Sequence, residues 1–261
     1  MREENRERPV LVCTAGILVL YLVLGILAGG REGVREAGDL VEGTVRKEQS
    51  AAETDSEIHE EAPKVALTFD DGPHPVWTEK LLDGLKERGI HATFFLIGSN
   101  IPGNEELVKR MEEEGHLIGN HTYSHVKMDS MDILADQEEL EKTNSLVKAI
   151  TGKNTEYIRP PFGAWNKEME HAMDVFSVLW DVDTLDWTTC NVQEIVKRGV
   201  QDTKDGDIIL MHELYTSTAE ACESVIPKLA KEYQLVTVKE LLTARGFKLE
   251  NGKIYYHGIK K

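Results

Sequence analysis

Cysteine is scarce in this chain, with only Cys13, Cys190 and Cys222 among 261 residues. Three cysteines cannot make a disulfide framework. Cys13 lies inside an apolar run, and nothing in the sequence brings Cys190 to Cys222, so free, partly buried thiols are expected rather than a bridge. Basic residues are also few: 30 Lys and Arg stand against 46 Asp and Glu, a formal net charge of -16. That balance argues against a nucleic-acid partner, whose binding surface needs a basic stripe. The chain has no nucleotide-binding glycine loop, no internal repeat, and no cysteine in a lipobox-like setting after the apolar run.

What is present divides the chain unevenly. Pro9–Gly29 carries no charge and is about twenty residues long, enough for a helix to cross a bilayer. Arg2, Arg6 and Arg8 precede it and favour a cytoplasmic N-terminus, leaving the rest of the chain outside. Residues 1–30 therefore read as a cytoplasmic stub and signal-anchor, giving a single-pass cell-membrane protein whose main domain is extracellular. Ala28-Gly29-Gly30 offers a cleavage site, which would make the protein secreted, but the apolar stretch exceeds most signal-peptide cores. Residues 31–62 are acidic, without apolar periodicity, and read as a flexible tether.

From Lys64 the pattern changes to alternating strands and helices. Val65–Phe69, Ala92–Ile97, His116–Asn120, Tyr157-Ile158, Ser177–Val182, Asp207–Met211 and Leu235–Thr237 read as strands. Between them, helices are expected near Thr78 (as a cap) to Gly89, Asn104–Gly115, Met131–Ile150, Lys167–Met173, Val192–Val200 and Thr218–Tyr233, with a final turn at Val238–Ala244. Such alternation implies an α/β fold with a parallel sheet, open or closed as a barrel. The tail, residues 247–261, is polar and aromatic and has no assigned role.

Five short strings end or follow these strands, where an α/β barrel gathers its functional side chains. Asp70 and Asp71 follow the first strand; being adjacent, they point different ways, so one can bind a metal while the other faces water. His121 and His125 follow the third. Four residues apart on a helical turn, their imidazoles can share one metal. Two histidines and one carboxylate leave positions open for water and substrate, and suit zinc without excluding cobalt, nickel or iron. Arg159 opens Arg-Pro-Pro-Phe-Gly and can hold a carboxylate such as Asp70, while the rigid loop presents the Phe162 amide to an oxyanion. His212 ends the strand containing Leu210, with Asp186 available to hydrogen-bond its ring and raise its pKa. Trp187 would wall the pocket, and Asp183 would organise the same layer.

Taken in order, the strings Thr68–Pro73, His121–His125, Arg159–Gly163, Asp183–Trp187 and Leu210–His212 resemble the five motifs of the NodB-homology polysaccharide deacetylases, carbohydrate esterase family 4. The resemblance covers about residues 63–246. It implies a distorted (β/α) barrel with fewer than eight regular units. It also implies metal-dependent removal of acetyl groups from N-acetylglucosamine units of peptidoglycan, chitin or chitooligosaccharides, or from xylan. Carried over, Asp70 is the base, Asp71, His121 and His125 the metal triad, and Arg159 the tether of the base. Phe162 supplies an oxyanion-hole amide where tyrosine is frequent, Asp186 tunes the acid His212, and Trp187 and Leu210 line the acetyl pocket. Peptidoglycan is the substrate that an exported, tethered domain favours. The alternatives are acetylated xylan, a small amide, or a non-catalytic wall-binding factor with a vestigial site.

Overall fold

The structure, a computed structural model, describes residues 62–128 and 132–259. The expected membrane anchor and tether lie outside the described residues. Among those described, no helix is long and apolar enough to cross a membrane.

Among the described residues nine strands form one sheet: β1 (Lys64–Asp70), β2 (Thr93–Leu96), β3 (Leu117–Asn120), β4 (Tyr157–Ile158), β5 (Phe176–Val178), β6 (Val182–Asp183), β7 (Ile208–His212), β8 (Gln234–Val236) and β9 (Ile254–Tyr255). Their order is β6-β7-β1-β2-β3-β4-β5-β9, with β8 beside the first half of β1, and every ladder between them is parallel. The order of β1 to β7 is that of a barrel opened between β5 and β6. The helices are α1 (Trp77–Glu87), α2 (Glu105–Glu113), α3 (Ile133–Thr151), α4 (Lys167–Ala172), α5 (Val192–Gln201), α6 (Thr216–Leu229) and α7 (Val238–Ala244).

Side chains on a strand alternate between faces, and β1 shows what this does. Val65, Leu67 and Phe69 pack outward in one core cluster with Leu81, Leu82 and Leu85 of α1 and with residues of α2, α5 and α6. Ala66 faces inward with Phe95, Tyr157 and Ile208, and α7 adds Val238, Leu241 and Leu242 to that inner layer. Two residues further along the same inward face come Thr68 and Asp70. On β7 the alternation sends Ile209 and Met211 outward, and Leu210 and His212 take the opposite face. In register, Asp70 stands opposite His212. The outward cluster is substantial, since each buried leucine contributes about 1.5–3 kcal/mol.

Several expectations need correction. The run Ser177–Val182 is not one strand. It splits into β5 and β6, which lie apart in the sheet, with Leu179-Trp180-Asp181 carrying the chain across the opening. An apolar run records burial, which two short strands and their connection share. Thr78 does not cap α1. It lies within the first turn, and its Oγ1 accepts a hydrogen bond from the His74 amide at 2.8 Å. Cys222 bears out its expectation: it is a free, buried thiol 3.8 Å from Met211 Sδ and does not pair with Cys190. The C-terminal residues provide β9, and Phe247, Leu249 and Tyr255 join the inner cluster.

Candidate active site

All of the sequence-designated side chains gather at the carboxyl ends of the strands, and the backbone there is unusual. Among the described residues, the non-glycine positions with positive φ are Asp71 (73°), Thr122 (64°), His125 (55°), Phe162 (62°) and Leu185 (53°). Every one lies in a loop that follows β1, β3, β4 or β6. Left-handed backbone at a residue with a Cβ is costly and persists where surrounding contacts impose it.

Asp71, His121 and His125 form a three-ligand cluster, with one candidate donor atom each lying within 4.8 Å of the others. Asp71 Oδ1 is 3.3 Å from His121 Nε2 and 3.4 Å from His125 Nε2. That oxygen is buried and accepts no hydrogen bond. A buried carboxylate oxygen without a donor is expensive unless a cation completes it. His121 Nδ1 lies 2.6 Å from the Arg159 carbonyl. A carbonyl can only accept, so Nδ1 carries the proton and Nε2 presents its lone pair to the cluster. Burial would raise the Asp71 pKa, but the proximity of His121, with the charges of His212 and His125, lowers it. Burial and the charge of His121 lower the pKa of His125, against the pull of Asp71 and Asp70. Both effects favour the ligand forms, a carboxylate and a neutral imidazole.

The two histidines were expected on a helical turn, and the structure does not place them on one. They sit on an irregular loop, and the left-handed Thr122 and His125 fold it so that both rings face Asp71. Glu139 of α3 holds this loop: its carboxylate accepts from the amides of Tyr123 (3.1 Å) and Ser124 (2.8 Å) and from Ser124 Oγ. Asn120 adds a further tie, its Oδ1 accepting from the Thr122 amide.

Beside the cluster, Asp70 Oδ1 receives Arg159 Nη1 at 2.8 Å, while Asp70 Oδ2 is 3.9 Å from His121 Nε2. Arg159 is wholly buried and donates from all three of its nitrogens. Nη1 also donates to Thr68 Oγ1, Nε to the Val178 carbonyl and Nη2 to the Leu179 carbonyl. Its Cζ lies 4.4 Å from the centre of the Phe95 ring. The guanidinium thus joins Asp70 to the backbone at the barrel's opening.

On the other side, Asp186 Oδ1 is 2.8 Å from His212 Nδ1, and Asp186 Oδ2 accepts from the His212 amide and from Thr218 Oγ1. Burial alone would lower the His212 pKa. The hydrogen bond and charge of Asp186, aided by the charges of Asp70 and Asp71, raise it to about 9. Leu210 is buried, and Trp187 and Phe162 are exposed at 53% and 68%. The Phe162 ring meets His125 edge-on at 4.9 Å. Asp183 Oδ1 accepts from the Leu185 amide and shapes the turn before Asp186.

Three contributors escape a reading of the sequence: Thr68, Glu139 and Thr218. Glu139 left a trace. On α3, Asp136, Glu139, Leu140, Thr143 and Val147 are the buried residues, so two acids stand on an inward helical stripe.

The arrangement combines a possible metal site, a carboxylate fixed by arginine, and a histidine kept protonated by a carboxylate. Comparison with known proteins agrees with it. The family model described as polysaccharide deacetylase matches residues 58–176. The peptidoglycan-N-acetylmuramic acid deacetylase PdaC of Bacillus subtilis is 39% identical over 178 residues, covering 68% of this chain and 38% of the relative. The peptidoglycan-N-acetylglucosamine deacetylase PgdA of Listeria monocytogenes is 37% identical over 194 residues, covering 74% of this chain and 41% of the relative. The chain thus spans about two-fifths of the length of these curated relatives. A solved structure of the peptidoglycan deacetylase PdaC from Bacillus subtilis matches with a TM-score of 0.70 and 37% identity, covering 71% of this chain and 93% of that one.

Proposed function

This chain belongs to the polysaccharide deacetylase family, and on that premise we propose that it hydrolyses the N-acetyl groups of N-acetylglucosamine units in peptidoglycan, releasing acetate. The observation that carries the reading is the joint geometry of Asp71, His121 and His125 with Asp70–Arg159 on one side and His212–Asp186 on the other. Relatives named for peptidoglycan support the choice of polymer. The charge-free run Pro9–Gly29 supports a cell-membrane anchor, with residues 31–62 as tether and 63–246 as the extracellular catalytic domain.

Asp71, His121 and His125 would hold one divalent ion, zinc being the metal their donor set suits best. Bound there, it would supply Lewis acidity toward the acetyl carbonyl and lower the pKa of water. The chain's own groups account for the rest. Asp70, steadied by Arg159, takes the proton of the attacking water. The Phe162 amide, held in a strained turn, faces the developing oxyanion. His212 then gives its proton to the departing sugar nitrogen, and Asp186 stabilises its charged form until that moment. Leu210 and Trp187 border the acetyl group.

The test is acetate release from N-acetylglucosamine oligomers, peptidoglycan and acetylated xylan, each with and without chelator and added zinc or cobalt. Chelator-sensitive release from peptidoglycan is expected. Release from xylan alone would move the substrate, and silence on all three with metal bound would point to another amide. Silence with no metal bound would mean a vestigial site.

A further inference from the structure

Glu213 follows His212 directly and is fully buried, yet it takes no part in the chemistry above. Its amide donates to the Asp70 carbonyl at 3.0 Å. Its side chain turns beneath the Asp71-Gly72-Pro73 loop, where Oε2 accepts from Thr78 Oγ1 and Oε1 has no partner. Thr78 Oγ1 in turn accepts from the His74 amide, so one short chain of hydrogen bonds runs from Glu213 to the far end of that loop.

Gly72 shows what the carboxyl does there. Its φ lies outside the left-handed region, unlike that of its neighbour Asp71, so the backbone itself would admit a side chain. Space would not: a Cβ on Gly72 would overlap Oε1, Cδ and Oε2 of Glu213. A side chain at Gly72 could enter only if the Glu213 carboxyl moved, so the glycine and the acid share one space. Meanwhile the Gly72 carbonyl accepts from the Ile97 amide at 2.9 Å, and Asn100 Nδ2 donates to the Asp71 carbonyl at 2.8 Å. The loop is thus pinned by the segment that follows β2 and packed by the residue that follows β7.

We propose that Glu213 is a positioning residue whose carboxyl occupies the Cβ space of Gly72 and, with Thr78, sets the turn that aims Asp71 Oδ1 at His121 and His125. The proposal rests on reading those three residues as a metal site. Burial, opposed by the Thr78 hydrogen bond and assisted by the charges of Asp71 and Asp70, pushes the Glu213 pKa up to about 8. The filler is then an uncharged acid at neutral pH, and glutamine is its isostere.

The test uses the full chain, zinc titration calorimetry and thermal unfolding on Gly72→Ala, Glu213→Ala, Glu213→Gln and the double variant Gly72→Ala/Glu213→Ala. Losing a group that orients a ligand costs about 10–100-fold in metal affinity, so Gly72→Ala and Glu213→Ala should each bind zinc at least about tenfold more weakly. Glu213→Gln should stay within about threefold of the parent, because shape and hydrogen-bonding capacity survive. The double variant should recover part of the affinity lost in Gly72→Ala, since the two changes share one space and cannot be additive. Should Gly72→Ala fail to fold, recovery of folding in the double variant is the expected sign. Equal zinc binding by all variants and the parent would overturn the role of Glu213 alone, as would a double variant no better than Gly72→Ala. A parent chain that binds no zinc would instead overturn the metal site itself.

Discussion

Arg159 Nη1 lies 2.8 Å from Asp70 Oδ1, and both side chains are essentially closed to solvent. A buried ion pair owes its place to extensive hydrogen bonding, and here Thr68, Val178 and Leu179 take three further arginine donors. Removing one partner strands the other. Arg159→Met should cost about 3–5 kcal/mol of stability. Arg159→Lys should rescue little, because an ammonium cannot serve four acceptors set for a planar fork. Chemical denaturation of both variants checks this, and a lysine variant as stable as the parent would refute it.

Asp70→Asn keeps the shape and most of the hydrogen bonding but removes the proton acceptor. Turnover should fall about 10²–10⁴-fold, the usual worth of a general base, with zinc affinity little changed. Acetate release and metal titration on the same preparation separate the two. Near-normal turnover would remove Asp70 from the role of base.

The pH profile should carry the signature of His212. With its pKa raised to about 9, it is protonated across the neutral range and able to donate. Activity should therefore decline on the alkaline side near pH 9, and Asp186→Asn should move that decline toward the ordinary histidine value. The same shift has a stability consequence. Because the folded pKa exceeds the unfolded one, this pair's contribution is complete below about pH 6.5 and is lost as pH rises through the folded value. Thermal unfolding between pH 6 and 10 should show the parent losing stability that Asp186→Asn never had.

Glu139 touches neither metal nor substrate, yet it carries the histidine loop. Glu139→Ala leaves the Tyr123 and Ser124 amides without their acceptor, at about 1–3 kcal/mol for each that stays buried. Zinc affinity should drop by about 10–100-fold even at temperatures where the variant is folded. Calorimetry at two temperatures distinguishes a loosened loop from an unfolded chain.

Much of this site was legible because strands deliver residues to known places. Val65–Phe69 and Asp207–Met211 are apolar runs that end where Asp70 and His212 begin, and β1 and β7 do pair there. The histidine loop was less legible. A spacing of four fits a helical turn, but the geometry comes from left-handed backbone at Thr122 and His125, which threonine disfavours and which histidine's mild enrichment there is too weak to announce. The buried acids were hardest to see. Glu139 and Glu213 look like surface residues until a neighbouring loop folds over them, and that loop is placed by contacts distant in sequence. The split of Ser177–Val182 has a similar origin, since its two halves pair with strands that arrive from either side of the opening.

The left-handed residues give the site an uneasy relation to thermal robustness. Thr122 is β-branched, has positive φ, and keeps a buried hydroxyl with no partner. Replacing it by glycine would release conformational cost, and the folded chain should become harder to melt. The same change would loosen the left-handed turn that sets the two histidines against Asp71. Selection for heat resistance alone would therefore erode this enzyme at its centre, and a screen that scores only survival would harvest well-folded, idle protein.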